Sequence, residues 1–164
     1  MRDIVRDKGY LTLGSRFRRL GERLQAEVQQ LAHDVGIDVP SSLFTTLDAL
    51  DAQGHLTIGE LALTLGISQP GATRIVNQLR SLGLIESQAP EKDRRVRRIA
   101  LTRKSKVLVQ KAKAGLWPRV EKVVAQICTP LEGNLLEMLA AIEAALDEKS
   151  LLQRAAKSKT GKMK

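Results

Sequence analysis

Gln69, Thr73, Arg74, Asn77, Gln78 and Ser81 lie in one stretch, SQPGATRIVNQLRS, with Ala72, Ile75, Val76 and Leu79. On a helical wheel the four apolar residues gather on one side and the polar ones fall elsewhere, giving an apolar back and a hydrogen-bonding front. Base edges in the major groove demand paired donors and acceptors. Gln69, Asn77 and Gln78 suit adenine, Arg74 suits guanine or a phosphate, and Thr73 suits thymine or a phosphate. Ser68 stands where a helix cap is needed, and Pro70 falls in the first turn, where a missing amide costs little. Gly71 leaves the front bare near its N-terminal end, so that a phosphate or base can come close. A solvated polar face would use the same residues, so the neighbouring segments must decide.

Behind that helix, Leu84 and Ile85 begin a strand, and Arg97 to Leu101 alternates as its partner. The loop 89–95 between them carries Asp93, Arg94 and Arg95 at its tip. An arginine there suits the narrow, electronegative minor groove, and a carboxylate two residues away can orient it. The expectation is that Arg95 inserts and Asp93 positions it, while Arg97 and Arg98 touch phosphates or fix the hairpin base; the alternative is a solvated charge run. From Glu91 to Lys106 there are eight basic residues and two acidic ones, so the local surplus sits in this hairpin.

In front of the helix, Thr57 and Glu60 have the capping-box spacing. A short helix 58–65 follows, stopped by Gly66, with Ile67 expected to plug the core between the two helices. Helix, turn, helix, strand, basic loop, strand is the order of a winged helix-turn-helix, spanning Leu56 to Thr102. Upstream, Leu13, Phe17, Leu20, Leu24, Val28 and Leu31 mark one face of a long helix from Leu11 to about Val35. Pro40 and the two serines after it restart the chain into a helix of about 42–53. Downstream, Thr102 caps a long helix of about 103–128, with Val107, Leu108, Ala112, Leu116, Val120, Val123, Val124 and Ile127 expected inward and a kink at Pro118. A Leu- and Ala-rich helix, 131–152, comes last. The predicted fold class is mainly α (α+β), a winged helix-turn-helix domain flanked by long N- and C-terminal dimerisation helices. Its expected parts are 1–35, an N-terminal dimerisation helix; 36–102, the reader, with its helix-turn-helix at about 57–82 and wing at about 84–102; 103–152, C-terminal dimerisation helices; and 153–164, a basic disordered tail.

The 164 residues carry 27 Lys+Arg against 18 Asp+Glu, a formal net charge of +9 that favours a polyanionic partner. The single cysteine, Cys128, rules out an intramolecular disulfide, argues against a cysteine-rich zinc site and reads as a small buried hydrophobe. The charged start MRDIVRDKGY is no secretory signal, and no apolar run approaches the ~18 residues of a membrane span, so a cytoplasmic setting is expected. His33 and His55 lack a close set of partner ligands. With no nucleophile elbow, phosphate loop or paired-carboxylate motif, neither enzymatic activity, a cofactor nor a metal is expected.

LTIGELALTLGISQPGATRIVNQLRSLGLI, the Asp93-Arg94-Arg95 wing and the run Arg98-Ile99-Ala100-Leu101-Thr102 leading into a helix together resemble the MarR family of bacterial transcriptional regulators. The likeness in layout covers about Leu11 to Leu152. The opening RDKGYLTLGSRFRRLGERLQAEV also resembles the regulator half of MarR–acetyltransferase fusions, although acetyltransferase activity is not expected here. The resemblance implies a homodimer whose first and last two helices intertwine, each lobe presenting a recognition helix and wing to half of a pseudo-palindromic double-stranded operator. It implies a repressor, nucleoid-associated through its DNA, that is released by a small aromatic or anionic effector. Arg16, Phe17, Phe44 and Trp117 are candidates for the effector cleft, the alternative being ordinary core aromatics and a solvated arginine. Some relatives sense peroxide through a cysteine in the first helix; none stands there in this chain. The competing function is a nonspecific or architectural nucleic-acid-binding protein acting through its tail and basic surface.

Overall fold

Thr57 and Glu60 close the capping box that their spacing predicts, and the fold is easiest to build outward from it. The computed structural model describes residues 2–88 and 98–160. Thr57 Oγ1 accepts from the Glu60 amide at 3.1 Å while Glu60 Oε2 accepts from the Thr57 amide at 2.7 Å. This starts α4, Ile58–Leu65, and Gly66 ends it with φ +62 in the left-handed region. α5, Gln69–Ser81, follows a two-residue turn with Ser68 as its cap. Ile67, expected in the core, is more than a third exposed. Its amide donates to the Ala62 carbonyl, so this residue closes the turn with its backbone and leaves the core to its neighbours.

Before the pair stand α1, Ile4–Asp7, α2, Leu13–Asp34, and α3, Phe44–Gln53. Ser41 and Ser42 do not cap α3. Ser41 instead ties the connecting loop to α2, its amide donating to Gln29 Oε1 at 2.6 Å and its hydroxyl to the Gln25 carbonyl at 2.8 Å. The sheet has three antiparallel strands: β1, His55–Leu56, β2, Ile85–Gln88, and β3, Arg98–Leu101, in the order β1-β3-β2. His55 pairs with Ala100, Ile85 with Leu101 and Gln88 with Arg98. The two residues just before the Thr57 cap thus form a third strand.

α6, Arg103–Lys111, passes through one π turn, Ala112–Leu116, into α7, Trp117–Cys128. Pro118 has no amide to give to the carbonyl four residues back, and its ring crowds that carbonyl. The wide turn ends just before it, so a register change accompanies the predicted kink position. Of the residues expected inward, Ala112 and Leu116 are fully buried, whereas Val107, Val123 and Ile127 are exposed; Ser105 and Val109 complete the buried row, 105, 109, 112 and 116, at spacings of four, three and four.

The chain divides into two compact units, Met1–Val120 and Glu121–Lys164. The first contains the continuous core, in which Leu43, Leu47, Leu50, Leu61, Leu79 and Ile99 are among the most buried side chains. Along α2 the core takes Ala32 fully and Val28 and Leu31 in part, while Phe17, Leu20 and Leu24 stay 40–52% exposed. The second unit contains α8, Leu135–Glu148, capped by Asn134, and α9, Leu151–Thr160. The expectation of disorder from 153 does not hold for residues 153–160. Ser150 Oγ accepts from the Gln153 amide at 3.3 Å and Gln153 Oε1 from the Ser150 amide at 2.8 Å, a second capping box that starts α9. Arg154 adds donations to the Lys149 and Ala145 carbonyls at the end of α8. Cys128 is partly exposed rather than buried.

Candidate nucleic-acid interface

α5 separates its two faces as the sequence predicts. Ala72, Val76 and Leu79 are fully buried, whereas Gln69, Arg74, Asn77 and Gln78 are exposed and Thr73 is half-buried. The buried row presses the helix onto the core and leaves the polar row outward. Ser68 Oγ accepts from the Gly71 amide at 3.3 Å, so the exposed Ser68 anchors the helix start. A Cβ on Gly71 would lie 3.2 Å from that hydroxyl. Gly71 therefore protects the cap as well as keeping the front bare, a role its residue type alone did not reveal.

Two front residues are engaged along the helix. Thr73 Oγ1 donates to the Gln69 carbonyl at 2.9 Å, leaving its methyl and its acceptor lone pairs for a partner. Arg80 Nη1 donates to Asn77 Oδ1 at 3.0 Å, leaving the Asn77 amide nitrogen outward. Arg80 was not among the sequence-derived candidates. Its signal was its place three residues after Asn77, on the same helical row.

The base of the wing is pinned to the end of α5. Thr102 donates its amide to the Leu84 carbonyl at 3.1 Å and its hydroxyl to the Gly83 carbonyl at 3.0 Å. The buried Ser105 hydroxyl reaches the same Leu84 carbonyl at 2.5 Å, and Lys104 Nζ reaches that of Leu82 at 3.3 Å. Arg98, half-buried at the start of β3, has its guanidinium 3.9 Å from Glu60 and so leans the hairpin base on α4. The sequence offered phosphate contact or hairpin fixing for Arg98, and the geometry adds support to the second. Asp93, Arg94, Arg95 and Arg97 lie outside the described residues.

Glu60 accepts the amide and side-chain hydrogen bonds of Thr57, which hold its carboxyl below the usual glutamate range; the Arg98 charge assists and partial burial opposes. Among the described residues, no group of three or more His, Cys, Asp or Glu is placed to hold a metal ion. No helix there is long and apolar enough to cross a membrane.

The sequence-derived effector residues separate in space. Within the first unit a cavity of about 330 Å³ is lined by Leu24 and Val28 of α2, Phe44 and Asp48 of α3, Trp117 and Val120. Phe44 and Trp117 come together there. Arg16 instead joins Asp3, Arg6, Arg19 and Arg23 in a different cleft, and Phe17 is not part of the cavity wall. Both precede the part of α2 that lines the cavity, and Phe17 lies about two turns before Leu24 on the same face. Next to the cavity, Lys113 Nζ lies 2.6 Å from Asp51 and 3.3 Å from Asp48, and 5.7 Å from the Trp117 ring centre. Sequence inspection missed this cluster because its members are some 62 residues apart.

A capped two-helix reader, an antiparallel hairpin behind it and a third strand in front define a winged helix-turn-helix protein. Residues 37–96 match the family model of the MarR family. The matched segment, the reader, resembles that family, whose members are DNA-binding transcriptional regulators. Among solved structures, the chain is similar to the transcriptional repressor CouR, determined bound to a 23-mer DNA duplex. It shares 28% identity with CouR over 82% of this chain and 96% of that one, with a TM-score of 0.65. A mutant of MarR from E. coli complexed with operator DNA shares 16% identity over 90% of this chain and 98% of that one, with a TM-score of 0.64. BpsR from Bordetella bronchiseptica, whose DNA binding is regulated by 6-hydroxynicotinic acid, shares 20% identity over 84% and 93%, with a TM-score of 0.59. The last two carry the likeness of fold.

Proposed function

We propose that this chain is a sequence-specific repressor that binds a pseudo-palindromic operator as a homodimer and is released by a small-molecule effector. The observation that carries this reading is the polar row of α5, exposed at Gln69, Arg74, Asn77 and Gln78, opposite the fully buried Ala72, Val76 and Leu79. In that arrangement Gln69, Asn77 and Gln78 contact adenine edges, Arg74 contacts guanine or a phosphate, and Thr73 offers its methyl to thymine. Ser68 and the start of α5 meet a phosphate, where the helix dipole is favourable. Arg95 enters the minor groove, Asp93 orients it, Arg94 and Arg97 follow the backbone, and Arg98 fixes the hairpin base.

Each unit leaves apolar residues uncovered: Phe17, Leu20 and Leu24 in the first, and Leu136, Met138, Ile142 and Leu146 in the second. Rows of this kind favour a second copy as their cover. Repression is supported by the likeness to CouR, and effector release by the likeness to BpsR together with the cavity at Phe44 and Trp117. The reading places the protein in the cytoplasm with its DNA.

The test is selection of bound sequences from a random duplex library, followed by competition of the enriched duplex against random DNA at physiological salt. An excess of about 1,000-fold or more for the enriched duplex is expected. Equal affinity overturns the sequence-specific reading and leaves a nonspecific or architectural binder.

A further inference from the structure

The cavity beside α3 has a chemistry that narrows what can enter it. Its walls are apolar and aromatic, with Gln25, Ser41 and Thr45 adding uncharged polar groups. Among the described residues, Asp48 is the one charged residue lining it. The neighbouring cation, Lys113, is already engaged, 2.6 Å from Asp51 and 3.3 Å from Asp48. The Asp51 hydrogen bond holds its ammonium above the ordinary lysine range, against the opposing effect of burial, and Asp48 adds to the rise. Two carboxylates against one ammonium leave this corner with a net negative charge. The face of Trp117 already accepts one cation, since Lys113 Nζ sits 5.7 Å from its ring centre.

We propose that this cavity selects a small organic cation, an apolar or aromatic body bearing one positive charge, over the matching anion. The apolar body lies against Leu24, Val28 and Val120. The positive group lies beside the Asp48 carboxylate, with the aromatic side chains of Phe44 and Trp117 in the same wall, where ion pairing and cation–π attraction act together. An anion entering the same space meets the Asp48 charge with Lys113 already held by its own partners. The anionic effector that the family resemblance suggests therefore does not suit this wall. The biological use of the site rests on the effector reading above; the binding preference does not.

Trp117 is the sole tryptophan, so its emission reports on the cavity directly. The full chain is titrated with phenylbutylammonium, phenylbutanol and phenylbutyrate at one ionic strength. The cation should bind about tenfold or more tighter than the anion, with the alcohol between them. Asp48→Asn should bring the cation down to the affinity of the alcohol, and Asp51 still holds Lys113 in that variant. Equal or tighter binding of the anion overturns the proposal, as does no response of Trp117 to any of the three probes. Operator binding without ligand is measured in parallel. Loss of DNA specificity with cation preference intact sinks the regulator reading alone, and the reverse outcome sinks the cavity proposal alone.

Discussion

Glu60 links two parts of the reader by one carboxylate, capping α4 through Thr57 and facing Arg98 at the wing base. Its folded-state acidity is strengthened, chiefly by the Thr57 amide. A carboxyl with a depressed folded value contributes its stability above the ordinary glutamate range and loses it as the pH falls through the folded value. Glu60→Gln should therefore lower the urea midpoint at pH 7, and the gap from wild type should close in acid, below the folded value. A gap that stays constant with pH would show that the charge does not matter. The Thr57–Glu60 pairing was legible from spacing alone because a capping box is local. The approach of Arg98 was not, since it depends on the sheet folding β3 back beside α4.

At the scale of elements, α5 keeps its fixed relation to the wing through Ser105. Its hydroxyl is buried against the Leu84 carbonyl, which also receives the Thr102 amide. Ser105→Ala removes a hydroxyl shared between the Leu84 and Thr102 carbonyls, and backbone amides still reach both, so a loss of about 1 kcal/mol is expected, read as a lower denaturation midpoint at unchanged slope. No change would mean that the wing base is held elsewhere. The bounds of α4 and α5 were readable because each carries its own cap and its own stop. The inner side of α6 was not. Val107, Leu108 and Val109 stand in a row, so several phases fit, and the first buried position is a serine that no apolar pattern marks. The π turn then shifts the phase before α7. β1 was not legible because two residues make no pattern, and its strand character comes from pairing with β3. α9 was hidden by composition: the basic residues after Leu152 suggest disorder, but the Ser150–Gln153 box starts a helix.

For the whole molecule, one chain holds a single reader and uncovered apolar rows in both of its units. The apolar stripe of α2 was legible as a stripe, yet only its C-terminal part enters the chain's own core. Periodicity identifies a face without saying which molecule covers it. In the proposed homodimer, a twin at a fixed distance would account both for the uncovered rows and for a reader that takes half a site. The most direct measurement is the stoichiometry and affinity of binding to the selected operator and to the same duplex with one half-site scrambled. Two chains should bind the intact operator as one unit, with affinity falling at least about tenfold when one half is lost, as several mismatched base pairs require. One chain per duplex, bound equally well to intact and half-scrambled DNA, would contradict the account.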